Sequence, residues 1–198
     1  MIRVGVLALQ GAFAEHIASL RKLGVEAIEL RQCADLNQSL DGLILPGGES
    51  TVMGKLLREL GMFQPLKQRI QAGLPVFATC AGLILLAERA ENQEKTYFEL
   101  MDITVRRNAY GRQLGSFRTT AQFDFNGQIP MIFIRAPYIS QVGPKARTLA
   151  EVDGNIVAAR QDHMLCTAFH PELSSDLSVH NYFLEMIREA TRTNVSVA

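Results

Sequence analysis

The chain has 198 residues, 47% of them hydrophobic, enough for one sizeable core and short for two independent ones, so a single domain over residues 1–198 is expected. Lysine plus arginine balances aspartate plus glutamate at 20 each, so no overall field draws in nucleic acid or an anionic membrane, and a small polar metabolite or a protein partner is favoured. The longest apolar run, residues 74–87, is broken by Pro75, Thr79 and Gly82 and is too short to span a bilayer. Cys33, Cys80 and Cys166 are far apart and odd in number, which argues against a disulfide framework and a metal cluster; with no basic leader ahead of the first apolar segment, the cytoplasm is the expected setting.

Residues 2–9 form a leucine-rich and β-branched run ended by Gln10 and Gly11. Phe13, Ile17, Leu20 and Leu23 then recur at helical spacing, and Gly24 is placed to close that helix at its C′ position. Residues 25–30 and 43–45 read as two further short strands, the latter after the turn pair Asp41 and Gly42. This alternation predicts an α/β fold: a three-layer sandwich with a mostly parallel central sheet and flanking helices, whose ligands sit at the carboxyl ends of the strands. The third strand runs through Pro46 into Gly47 and Gly48, a pair that lets backbone amides approach an oxyanion, although glycine pairs are equally common in plain connecting loops. A helix follows on Val52, Leu56, Leu57 and Leu60, with Ser50 as its expected N-cap, and another runs from Met62 to a stop at Gly73.

Residues 75–79 have the composition of a strand buried on both faces, and residues 83–87 that of a helix. Between them Cys80 is flanked by the small residues Ala78, Ala81 and Gly82, which permit a sharp strand-to-helix turn. That is the arrangement in which many hydrolases carry a nucleophilic serine, and the helix N-terminus favours a thiolate there. A cysteine in an apolar run is more often inert filling, so the assignment depends on its neighbours.

Residues 89–95 are polar and read as a surface loop. Residues 119–125 and 131–134 alternate on either side of Asn126 and Gly127, a hairpin signature and a small antiparallel extension to the main sheet. The arginine-dense segment 106–113 has the composition of a solvated loop, and Arg135 ends a strand just ahead of Pro137. Residues 155–160 and 164–169 read as strands around a turn at Asp162 and His163, followed by His170, Pro171 and Glu172. Proline holds that segment extended, so residues i and i+2 share one side and place an imidazole beside a carboxylate. His16 and His180 fall on predicted helices, where solvated or capping roles are expected. Residues 177–187 form the last helix, with 191–198 frayed. Cys80, His170 and Glu172 thus compose a nucleophile, base and orienter set.

Six segments carry a family resemblance: Ala-Leu-Gln-Gly-Ala-Phe-Ala-Glu-His (8–16), Leu-Pro-Gly-Gly-Glu-Ser-Thr (45–51), Thr-Cys-Ala-Gly (79–82), Arg-Asn-Ala-Tyr-Gly-Arg-Gln (107–113), Phe-Ile-Arg-Ala-Pro (133–137) and His-Pro-Glu-Leu (170–173). Together they resemble the glutaminase subunits of pyridoxal 5′-phosphate synthases, in the triad (class I) glutamine amidotransferases, over residues 2–188. The resemblance implies an amidotransferase-like (flavodoxin-like) fold and hydrolysis of L-glutamine to L-glutamate and ammonia, with Cys80 as nucleophile and His170 and Glu172 completing the triad. It implies a glutamine site lined by Gly47, Gly48, Glu49, Arg107, Ile134 and Arg135; for the reaction, oxyanion contacts from the amides of Gly48 and Ala81 and a partner-responsive Gln10 are expected. The implied partner is a barrel-shaped synthase subunit in a large hetero-oligomer, with pyridoxal phosphate as product rather than bound cofactor, and no metal. Ala78 stands where the wider class usually has glycine, and Tyr138 where many relatives have histidine. A cysteine-dependent amidotransferase serving another acceptor, or a non-catalytic scaffold of the same fold, are the alternatives.

Overall fold

A computed structural model describes residues 1–91, 96–107, 116–124 and 127–196, with side chains up to residue 192. Strand β1 (Arg3–Leu7) leads through helix α1 (Phe13–Lys22) to β2 (Glu26–Leu30), and β3 (Gly42–Leu45) is followed by α2 (Ser50–Glu59) and α3 (Phe63–Gln71). Then come β4 (Val76–Thr79), the short helix α4 (Ala81–Leu86), β5 (Ala87–Glu91) and β6 (Met101–Arg106). A hairpin of β7 (Ser116–Gln122) and β8 (Gln128–Ile134) precedes β9 (Tyr138–Val142), β10 (Arg147–Val152), β11 (Asn155–Gln161), β12 (Met164–Thr167) and α5 (Ser178–Ser196).

The main sheet has the order β2-β1-β3-β4-β12-β11-β9-β6-β5, with β10 paired to β11. From β2 to β12 every pair is parallel, and β3, β4 and β12 are buried along their whole length. Strands covered on both faces need apolar side chains at every position, which is why these segments read as continuous hydrophobic runs. On β4, alternation sends Phe77 and Thr79 to one side. Phe77 there meets His16 of α1 and His180 and Phe183 of α5, so these two helices share a face of the sheet, while α2 packs on α3 and α4. The fold is the three-layer α/β sandwich expected, with β7 and β8 as its antiparallel extension.

Gly24 and Gly73 stand at the C′ positions of α1 and α3 with φ of +71° and +97°, as their helix-stop reading requires. Other expectations are corrected. Residues 89–91 belong to β5, whose charged side chains are satisfied across the ladder: Arg89 bonds Thr104 and Asp102 of β6. The strands β9 and β10 escape the alternation pattern. Ile139 is the fully buried residue of β9, and the register shift around Leu149 buries Leu149 and Ala150 in succession. Helix α5 continues to Ser196 instead of fraying from 191. Residues 92–95 of the polar segment, 125–126 of the hairpin and 108–113 of the arginine-dense segment lie outside the described residues.

Candidate active site

Four adjacent parallel strands, β1, β3, β4 and β12, deliver their carboxyl ends to one place. Gln10 to Ala12 follow β1, Gly47 and Gly48 follow β3, Cys80 follows β4 and His170 follows β12, the position that the rule for open α/β sheets assigns to a ligand. Hydrogen bonds tie these ends together: Ala12 N donates to Gly47 O at 2.9 Å, Cys80 N to Thr167 O at 2.8 Å, and His170 N to Ile132 O of β8 at 2.8 Å. Around them opens a cleft of about 500 Å³ lined by Gln10, Gly47, Gly48, Glu49, Cys80, Ala81, Arg107, Ile134, Arg135 and His170.

Cys80 turns the chain with φ +48° and ψ −100°, a conformation that L-residues avoid and that costs about 1–3 kcal/mol. The small neighbours make the turn possible. A Cβ on Gly82 would lie 2.1 Å from the carbonyl oxygen of Leu45, so the first turn of α4 sits directly on β3. On Gly47 a Cβ would fall 2.2 Å from Cε1 of His170 and 3.3 Å from Cβ of Cys80. Glycine there lets the imidazole pass between the β3 loop and the sulfur. Ala78, where the wider class has glycine, is fully buried and accommodated in β4.

His170 Nδ1 donates to Glu172 Oε1 at 2.7 Å, and both residues are buried. The contact expected from an extended i, i+2 pair is made, but by a different backbone: Pro171–Leu173 forms a single 3-10 turn, with proline preset for its start. Burial works against a charged imidazole at His170; hydrogen bonds to the Cys80 sulfur and to Glu172, with their charges, outweigh it and raise its pKa from 6.5 to about 10. Glu172 is held below its ordinary value: burial opposes its charge, and His16 and His170 more than offset that. Cys166, by contrast, is buried with only the Ala159 carbonyl for company, which pushes its thiol up to about 12 and leaves it unreactive.

A raised histidine pKa has a definite sign in stability. The folded state binds this proton more tightly than the unfolded chain, so the contribution is complete below pH 6.5 and is lost as pH rises through about 10. The difference in Tm between the native chain and His170→Asn is therefore expected to shrink steadily across that window. Thermal melts from pH 6 to 10 measure it, and a difference that grows with pH contradicts the pairing.

At the cleft mouth Glu49, not Ser50, caps α2: its carboxylate accepts from Thr51 N at 3.3 Å and Val52 N at 2.9 Å. Burial tends to raise its pKa, but those two amides and Arg107, whose Nη2 lies 2.9 Å from Oε1, hold it low. Gln10 Oε1 accepts from Glu49 N at 2.7 Å, which links the end of β1 to the Gly47 and Gly48 loop. Arg135 reaches the cleft from a left-handed backbone, φ +43°. The mouth thus presents one carboxylate and two guanidinium groups to a zwitterionic solute. Tyr138 lies just outside, its hydroxyl accepting from Arg106 Nη1 at 2.9 Å.

The largest departure concerns His16 and His180, expected at solvated or capping positions. Both are fully buried. His16 lies 3.4 Å from Glu172 Oε2 through Nε2 and 3.0 Å from His180 Nε2 through Nδ1. A signal for this exists in the chain: residues 13, 16, 17 and 20, and again 180, 183, 184 and 187, follow the spacing of a core-facing helix stripe.

Comparison with known proteins shows the family. The model of the SNO glutamine amidotransferase family matches residues 6–189. Pyridoxal 5′-phosphate synthase subunit PdxT of Haemophilus influenzae (strain PittEE) is 57% identical over 192 residues, covering 96% of this chain and 100% of that protein. The PdxT subunit of Methanocorpusculum labreanum is 60% identical over 186 residues, covering 94% of this chain and 98% of its own. A crystal structure of a glutamine amidotransferase, 42% identical, superposes with a TM-score of 0.88 over 93% of this chain and 98% of that one. The chain belongs to the SNO glutamine amidotransferase family.

Proposed function

We propose that this chain is the glutaminase subunit of a pyridoxal 5′-phosphate synthase, hydrolysing L-glutamine to L-glutamate and ammonia and passing the ammonia to a barrel-shaped synthase subunit for vitamin B6 synthesis. The observation that carries the reading is the buried His170–Glu172 pair set beside Cys80 at the carboxyl ends of β12 and β4, in a cleft whose mouth holds Glu49, Arg107 and Arg135. Cys80 thiolate attacks the side-chain amide carbon while the amides of Gly48 and Ala81 receive the oxyanion. The His170 imidazolium gives its proton to the departing ammonia, leaving a thioester on Cys80. Neutral His170 then takes a proton from water, the hydroxide adds to the thioester, and glutamate leaves as the thiol is restored. Gly47, Gly48 and Ile134 shape the walls around the substrate, and the charged groups at the mouth match glutamine's ammonium and carboxylate. The three cysteines, all unbridged, suit a reducing cytoplasm.

Ammonia released to water is largely protonated and lost as a nucleophile, so production is best coupled to a bound consumer. Gln10 and the Gly47 and Gly48 loop lie at the strand ends, where a docked partner presses, and the Gln10 bond to Glu49 N is the link through which docking reaches the oxyanion site. Glutamate formation by the purified chain is expected to be slow alone and to rise about tenfold or more when the synthase subunit is added, since repositioning one oxyanion donor is worth that much. Equal rates would count against the partner-responsive loop; no glutamate under either condition would remove the glutaminase reading.

A further inference from the structure

Behind Glu172 the buried polar line continues for two more residues that the reaction above does not use. Glu172 Oε1 is taken by His170, whereas Oε2 is buried with no aligned donor, its nearest being His16 Nε2 at 3.4 Å. The same nitrogen lies 3.2 Å from Thr79 Oγ1, one residue ahead of Cys80. His16 Nδ1 meets His180 Nε2 at 3.0 Å, and the remaining nitrogen of His180 has no partner among the described residues. Donor and acceptor counting selects one arrangement. If His180 carried its hydrogen on Nδ1, that N–H would be buried without an acceptor, and His16 would turn a lone pair toward a carboxylate. With hydrogen on Nε2 of both rings, His180 donates to His16, His16 donates toward Thr79 and Glu172, and only a bare nitrogen is left over. Burial drives both rings toward the neutral form, His180 down to about 3, so His16 serves Glu172 through an N–H dipole rather than an ion pair.

We propose that His16, oriented by His180, is a positioning residue for the triad: its Nε2–H, shared between Thr79 and Glu172, fixes the carboxylate and supports its charge when His170 gives up its proton to ammonia. During that step the imidazolium disappears and Glu172 is left as a buried anion beside a neutral ring. An N–H dipole held 3.4 Å from Oε2 keeps the proton affinity of Glu172 low and its orientation set for the second half of the reaction. The requirement falls on turnover and not on glutamine binding, because neither His16 nor His180 lines the cleft.

This inference rests on the glutaminase reading, and its test separates the two. The full chain, assembled with its synthase subunit, is assayed as native protein, His16→Leu, His16→Gln and His180→Phe. The glutamine amide carries one donor and one acceptor at a spacing close to that of the two imidazole nitrogens, so it replaces both contacts. His16→Leu is expected to lower kcat about tenfold or more with KM within about twofold, the effect of removing a hydrogen bond to a charged group. His16→Gln should recover most of that loss, and His180→Phe, which keeps an aromatic ring against Phe77, should lie between. Nitrogen-15 spectra of the native chain should show both rings neutral with hydrogen on Nε2. Native kcat in His16→Leu, an equal loss in His16→Gln, a loss residing in KM, or the opposite tautomer at His16 would each overturn the proposal. Should His16→Leu fail to fold, native kcat in His180→Phe would do the same. Absence of glutamate release by the native complex would instead sink the glutaminase reading, leaving the spectra to report on the histidine pair.

Discussion

Alanine at position 80 is expected to abolish glutamate release, by roughly 10⁴-fold or more, while glutamine still binds. The substitution removes only the sulfur. Cys80 N keeps its 2.8 Å bond to Thr167 O, and alanine pays no greater penalty than cysteine for the positive φ, so the elbow survives. Glu49, Arg107 and Arg135, proposed to meet the substrate's charged ends, stand on other elements and are untouched. A glutamate assay paired with calorimetric titration of glutamine separates the two quantities; turnover within tenfold of the native chain would mean that another group makes the covalent bond.

Gly47→Ala is expected to produce a loss of the same kind from a methyl group that collides with the imidazole of His170. The added Cβ would sit 2.2 Å from His170 Cε1 and 2.9 Å from Nδ1, distances that atoms do not tolerate. The ring cannot simply step aside, because Nδ1 is held by Glu172 at 2.7 Å and both residues are buried. Relief of about 1 Å must come from the alignment of imidazole and sulfur, and a misplacement of that size costs on the order of 10²-fold in rate. Gly47 does not use a left-handed backbone, so the chain path itself accepts alanine and the cost falls on the placement of His170. A normal kcat in a folded Gly47→Ala variant would show that the imidazole does not need its present place.

How far the molecule could be read from its residues depended on how locally each feature is encoded. The parallel half of the sheet was legible because β3, β4 and β12 are buried on both faces and consist of uninterrupted apolar residues. The cysteine elbow was legible because only small residues fit beside Leu45 and at the turn. The strands β5, β9 and β10 were not, since charged pairs, a single buried anchor and a bulge remove the period on which strand recognition depends. Within the site, the candidate triad and cleft residues announced themselves through short motifs. His16 and His180 did not, because their partners are 164 and 63 residues apart in the chain, at His180 and at Thr79. Only the helix-face spacing hinted that they were interior. Propensity favours Ser50 as the cap of α2, whereas Glu49, one residue earlier, has the longer carboxylate that reaches both Thr51 N and Val52 N.

The proposed chemistry is tested most directly by exposing the native complex to an electrophilic glutamine analogue and locating the adduct by mass spectrometry. One adduct is expected, on Cys80, prevented by excess glutamine and much slowed in His170→Asn, with Cys33 and the buried Cys166 unmodified. An adduct on either of those cysteines with Cys80 left free, or labelling of Cys80 that glutamine does not suppress, would contradict it.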